Sequence, residues 1–184
     1  NTTDTFDGIN VTCFDLATSM MICDAKEFNI LGNENSKELN NNKKLLDKIE
    51  KIRLLAGKKM GMGDVKGKVL PKVSLLSKSI NENSIVSRYF TPYSCHETHA
   101  VTGTCCVASS CLIPGTVGFR LLNKKDSLNF NSEIIKIEHP MGSIDCTIVL
   151  NSNFKNNLVS KKDLVKSCGI YRTSRILMKG QVYF

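Results

Sequence analysis

A polar lead-in, His96-Glu97-Thr98-His99, runs through Thr102-Gly103-Thr104 into small and apolar residues, Cys105 to Ile113, that Pro114-Gly115 closes. This stretch predicts a loop followed by a helix. Thr102 or Thr104 supplies the N-cap hydroxyl, Gly103 removes a Cβ where something must approach the backbone, and Pro-Gly cannot continue the helix. Ala108, Ser109, Ser110 and the cysteines keep the helix thin on all sides, which suits an element enclosed by others rather than one lying on a surface. The N–H groups of its first turn lack partners within the helix and sit at the positive end of its dipole, so the Thr-Gly-Thr region is a candidate site for a carboxylate or phosphate. Thr-capped helix starts that bind nothing are common, and this segment alone does not decide between the two.

Around it the chain reads as strands with one further helix. Ile9 to Asp15 alternates with period two after the turn signal Phe6-Asp7-Gly8, and Met20 to Ala25 is a short apolar run; both predict strands. Leu45, Leu46, Ile49, Ile52, Ala56 and Met60 recur at steps of three and four, which predicts one amphipathic helix from about Ser36 to Met60, stopped by Gly61 and Gly63. Lys72–Ser77 and Ser84–Phe90 are strand-like. After the exit at Gly118–Leu122 and a polar turn at Asn123–Asp126, strands are expected at about Glu133–Glu138, Ser143–Leu150 and Gly169–Phe184, separated by Pro140-Met141-Gly142 and by residues 151–162. The sum is an α+β fold: an antiparallel, barrel-like sheet wrapped around the thin central helix, with the amphipathic helix outside. At 184 residues and 41% hydrophobic the chain suffices for one domain with a core.

Charge and cysteine usage narrow the function classes. The net charge of +8 comes largely from Lys43, Lys44, Lys48, Lys51, Arg53, Lys58 and Lys59 on the outer helix, with Lys66, Lys68 and Lys72 following. No aromatic residues interleave with them, so a solvated helix face is expected rather than a nucleic-acid surface. A basic interaction module stays open as an alternative. No apolar run approaches a membrane span, and the first residues carry no signal-peptide pattern. The eight cysteines lie mostly within apolar runs and none forms a C-x-x-C. Reduced, buried thiols are expected, which implies an intracellular, cytoplasmic location. A zinc site built from Cys95, His96 and His99 lacks a spacing signature, and no metal is expected. Arg88 offers either a bidentate carboxylate contact or a surface ion pair, and the surface pair is the expectation.

His96, Thr102-Gly103, Cys106 and Ile113-Pro114-Gly115-Thr116-Val117 together resemble the C-terminal half of the PrpF family, the 2-methylaconitate cis-trans isomerases and their relatives with a diaminopimelate-epimerase-like fold. Glu138-His139-Pro140-Met141-Gly142 is similar to the family's H-P-S-G turn, and Arg172 to Tyr183 to its terminal R-T-A-R-x-L-M-x-G-x-V-Y. Upstream, Arg53–Gly63 and Pro71-Lys72-Val73 resemble its I-R-x-x-A-x-x-M-G and P-K-[VI] segments. The resemblance implies that residues 1–184 form a single C-terminal domain of a two-domain, cofactor-independent isomerase whose N-terminal domain is absent from this chain. A small unsaturated di- or tricarboxylate, such as 2-methylaconitate or aconitate, would lie between the two halves. It would be bound here by Thr102, Gly103 and Thr104 through backbone N–H groups, by His96, and by the Met141-Gly142-Ser143 turn.

The resemblance also places the principal acid/base residues, a cysteine and a lysine, in the other half. Cys105 is then the only acid/base candidate of this half, with an ordinary buried thiol as the stronger expectation, and the isolated domain should be inactive. Arg172 and Arg175 match family arginines and are expected to be structural. Two departures, Met141 at the family's Ser position and Thr18-Ser19 in place of Asn-Pro, leave room for a degenerate homologue that binds a carboxylate or a protein partner without turnover. A second copy of the chain supplying the other wall, a homodimer, is the remaining option.

Overall fold

The computed structural model describes residues 2–123, 132–151, 164–171 and 175–181. Within them eight strands form one sheet in the order β1 to β8: β1 (Asp4–Phe6), β2 (Ile9–Asp15), β3 (Ser19–Asp24), β4 (Lys72–Lys78), β5 (Ser84–Phe90), β6 (Glu133–His139), β7 (Gly142–Leu150) and β8 (Val165–Ile170). Four α-helices accompany them: α1 (Ser36–Asn41), α2 (Lys43–Lys59), α3 (Val101–Ser110) and α4 (Val117–Leu121). The fold class is mixed α+β.

The sheet is not purely antiparallel. β3 pairs with β4 and β5 with β6 in parallel, through Met20↔Lys72 and Val86↔Glu138 among others. Parallel neighbours need a crossover connection, and helices fill both of these: α1 and α2 lie between β3 and β4, and α3 and α4 between β5 and β6. The strand expected at Gly169–Phe184 is instead Val165–Ile170, whose register with β7 shifts at Val149/Leu150; residues 175–181 have no regular structure, and 182–184 lie outside the described residues. Residues 124–126 of the expected polar turn and most of the 151–162 separator also lie outside them.

Alternation sorts each strand between two cores. On one face Ile85, Tyr89, Ile135, Ile137, Cys146 and Ile148 pack with Cys106, Val107 and Leu112 of the α3 region. On the other, Val11, Met21, Val73, Leu75 and Phe90 pack under Leu45, Ile49, Ile52 and Ala56 of α2. Small side chains let α3 approach the sheet closely, and Gly103 to Ser110 are all buried.

The expected helix from Ser36 to Met60 is two helices. Asn42, at φ −86° and ψ 80°, breaks the pattern, and its side chain accepts from Leu45 N–H at 3.1 Å to start α2 afresh. The lysine face is solvated as expected, with Lys51 bridged to Asp7 at 2.5 Å and Lys59 to Asp4 at 3.4 Å. Arg53 does not belong to that face. It is fully buried, forked onto Glu50 at 2.6 and 2.9 Å, and donates to the carbonyls of Leu70 at 3.0 Å and Val65 at 2.9 Å. A guanidinium has enough donors to tie the loop after α2 back to the helix in this way.

Candidate functional site at the start of helix α3

The start of α3 differs from the expected cap. Ala100 is the N-cap residue, in extended conformation at φ −69° and ψ 145°, with no side-chain capping bond. Thr102 and Thr104 therefore lie inside the first turn, and neither caps it. Val101, Thr102 and Gly103 occupy the positions whose N–H groups have no acceptor within the helix, whereas Thr104 N–H already bonds Ala100 O at 2.8 Å. Val101 and Thr102 are exposed and Gly103 is buried, so an unsatisfied, dipole-bearing end of an otherwise buried helix opens outward.

Thr104 faces inward. Its hydroxyl is fully buried, donates to Ala100 O at 2.9 Å and meets His99 Nδ1 at 3.1 Å. His99 Nε2 lies 3.0 Å from Ser87 Oγ, which lies 2.7 Å from Ser74 Oγ. His99 Nδ1 also lies 3.3 Å from Ala100 O, so the imidazole joins Thr104 and the Ala100 carbonyl on one side to the Ser87–Ser74 hydroxyl pair on the other. Burial holds His99 near pKa 4, neutral at physiological pH. This file of hydroxyls and imidazole clamps the start of α3 to β4 and β5. Sequence reasoning considered His99 only as a zinc ligand; the available signal was the alternation that puts Ser87 on the same strand face as Ile85 and Tyr89.

Gly103 does mark a close approach, made by the protein itself. A Cβ there would stand 2.6 Å from Tyr89 Cε2, and the Tyr89 ring lies 4.6 Å from that of His99. His96 is exposed; its N–H donates to Tyr89 O at 2.7 Å and its Nδ1 accepts from Thr98 N–H at 3.2 Å. The Met141 N–H reaches Glu97 O at 3.2 Å, so the loop before α3 and the 140–142 turn do meet. Met141 itself is 68% exposed. Gly142 and Ser143, in contrast, line a pocket with Arg88 and Glu138.

Cys105 sits one turn in, buried, and desolvation pushes its thiol above the ordinary value, with Cys168 and Cys146 at its side. Cys106 is likewise raised by burial and donates to Thr18 O at 3.1 Å. A thiol raised in this way stays protonated at neutral pH and offers almost no thiolate to act as a base. Among the described residues Arg88 makes no ion pair: it is 5% exposed, held by the carbonyls of Glu34 and Ser87. Arg175 is exposed and Arg172 lies outside the described residues. Among the described residues no group of three or more His, Cys, Asp or Glu is disposed to hold a metal ion, and no helix is long and apolar enough to cross a membrane.

The fold is thus mixed α+β, with a buried helix whose first turn opens outward. The family described as PrpF protein matches residues 1–184, and the chain belongs to that family. YbhH of Escherichia coli (strain K12), provisionally described as an isomerase, is 38% identical over 183 residues, covering 100% of this chain and 49% of its own length. The 4-oxalomesaconate tautomerase of Pseudomonas putida (strain KT2440) is 31% identical over 99% of this chain and 47% of its own, and the (4E)-oxalomesaconate Delta-isomerase of Novosphingobium sp. (strain KA1) 33% identical over 100% and 48%. A crystal structure of methylitaconate-delta-isomerase superposes with a TM-score of 0.72 at 25% identity, covering 94% of this chain and 48% of that one. The chain thus spans about half the length of the relatives it matches.

Proposed function

We propose that this chain is the C-terminal half of a cofactor-independent isomerase that shifts a double bond, or inverts its geometry, in a small unsaturated di- or tricarboxylate. Relatives named for acting on oxalomesaconate and methylitaconate support that substrate class. One observation carries the reading: the first turn of α3, exposed at Val101 and Thr102, carries the N–H groups of Val101, Thr102 and Gly103 that have no acceptor within the helix, in a chain that matches the PrpF family throughout. Removal of an allylic proton leaves a dienolate whose charge spreads onto a carboxylate. Fixed N–H donors at a helix terminus stabilise that charge where it develops, with no metal required. Thr104 and His99 hold the donors in place, and His96 and the Met141 turn flank them. In a diaminopimelate-epimerase-like arrangement, with the sheet wrapped around α3, a second half-barrel supplies the opposite wall and the acid/base pair, and this half alone is inactive. The eight free cysteines support work in a reducing, cytoplasmic compartment.

The test uses the full-length coding sequence that contains these residues. Its product is incubated in D2O with trans-aconitate, 2-methylaconitate and oxalomesaconate, and solvent deuterium entering the allylic position is followed by NMR together with double-bond movement. Val101→Pro should lower kcat/KM on the order of 10²-fold, since it deletes one N–H donor. Its folding should be intact, because Ala100 already has the extended conformation that precedes proline and the first helical position accepts it. Absence of exchange with all three acids would sink the catalytic reading and leave a binding-only homologue.

A further inference from the structure

On the sheet face opposite α3, β5 and β6 carry a second constellation. Ile85 and Tyr89, Ile135 and Ile137 point into the α3 core, so the alternate residues Val86, Arg88, Lys136 and Glu138 project from the other face. They line an open pocket of about 490 Å³ that also includes Asn81 and Ser143.

The two charged groups that matter most are not paired with each other. Arg88 is 5% exposed; its Nε donates to Glu34 O at 2.6 Å and its Nη1 to Ser87 O at 3.2 Å. Among the described residues Nη2 has no acceptor, and no carboxylate lies within ion-pair distance of the guanidinium. The carboxylates of Glu34 and Glu138 act on it only through space. Glu138 accepts from Ser79 Oγ and Asn81 Nδ2, both at 2.8 Å and both on Oε1, which leaves Oε2 without a donor among the described residues. The register explains the separation: Val86, not Arg88, stands beside Glu138, so Arg88 is rooted a same-face step, about 7 Å, further along its strand. Lys136 is occupied elsewhere, in an ion pair with Asp145 at 2.8 Å that lacks hydrogen-bond direction.

A desolvated guanidinium without a carboxylate is costly to bury unless an anion completes it, and its planar fork matches a carboxylate. The free oxygen of Glu138 in the same pocket asks for a donor. We propose that this pocket is a ligand site separate from the α3 terminus, taking a small carboxylic acid that bears a hydroxyl or ammonium group, with its carboxylate on Arg88 and its donor on Glu138. The pocket shares Gly142 and Ser143 with the turn that the isomerase reading sets beside the cleft, but the assignment does not rest on that reading, since Arg88 and Glu138 belong to neither the helix terminus nor the other half.

The experiment is an NMR titration of the ¹⁵N-labelled chain with L-malate, L-aspartate and succinate, each to tens of millimolar. Saturable shifts are expected at Asn81, Val86, Arg88 and Glu138, with malate or aspartate binding at least tenfold tighter than succinate; whichever is tighter identifies the donor as hydroxyl or ammonium. Glu138→Gln should remove that preference, and Arg88→Lys should weaken all three acids at least tenfold. Should Arg88→Lys disturb the fold, as an altered spectrum far from the pocket would reveal, the Glu138→Gln comparison still decides. Shifts confined to Val101–Thr104, equal affinity for the three acids, an unchanged preference in Glu138→Gln, or no saturable shift would each overturn the proposal.

Discussion

His99 couples the start of α3 to pH. Its folded pKa, near 4, lies below the ordinary 6.5, so the unfolded chain binds the proton more readily. The contribution is therefore fully present above about pH 6.5 and is lost as pH falls from there toward 4; the difference amounts to on the order of 3 kcal/mol. Urea unfolding at pH 7.5, 6, 5 and 4.5 should show that decline, and His99→Asn should flatten it; parallel curves for the two proteins would refute the assignment. Gly103 gives a second prediction. Alanine there gains about 1 kcal/mol of helix propensity, but its Cβ would drive into Tyr89, 2.6 Å away, and overpacking of this kind costs about 1–3 kcal/mol. Gly103→Ala should lower the melting temperature, whereas Gly103→Ala combined with Tyr89→Leu should recover part of the loss. The need for a glycine was legible in the sequence, but its reason was not. A missing Cβ signals a close approach without saying whether a ligand or a neighbouring ring makes it, and that depends on where β5 passes.

At the level of elements, periodicity carried most of the information. β2 runs as its alternation predicts, Ile9–Asp15, β5 fills the strand-like run Ser84–Phe90, and the apolar stripe of α2 faces its core. The break at Asn42 was hidden because asparagine within an Asn-rich patch reads as composition, while its action as a cap depends on one side-chain bond. The parallel pairings were missed for a different reason. Alternation fixes faces but not neighbours, and only the helices between β3 and β4 and between β5 and β6 imply crossovers. Arg53 shows the limit of a charge count, since a lysine-rich helix face gave no sign that its one arginine is buried. Because Glu50 is its only carboxylate partner at ion-pair distance among the described residues, Glu50→Ala strands a buried cation and should cost about 3–5 kcal/mol. Lys51→Ala, which breaks a pair 70% and 47% exposed at the side chains, should cost under about 1 kcal/mol. Chemical denaturation of the two variants side by side checks the contrast, and equal losses would mean that the Arg53 fork contributes no more than a surface pair.

At the scale of the whole molecule, the most exposed apolar run among the described residues lies in segment 175–181. Ile176, Leu177 and Met178 are 86%, 82% and 89% exposed, three consecutive apolar side chains in water. Neither core described above reaches it. Consecutive apolar residues left in water favour association, and in the isolated chain a second copy is the partner at hand. Light scattering coupled to gel filtration should therefore give a mass that rises above 20.4 kDa with protein concentration. The double substitution Ile176→Ser with Met178→Ser should hold it at the monomer value, and because these side chains touch neither core, the melting temperature should move by no more than about 2 °C. A monomeric mass for both proteins across the range would show that the segment finds cover within its own chain. If the variant alone is monomeric, the same segment becomes the first place to look for contact with the remaining length of a full-size relative.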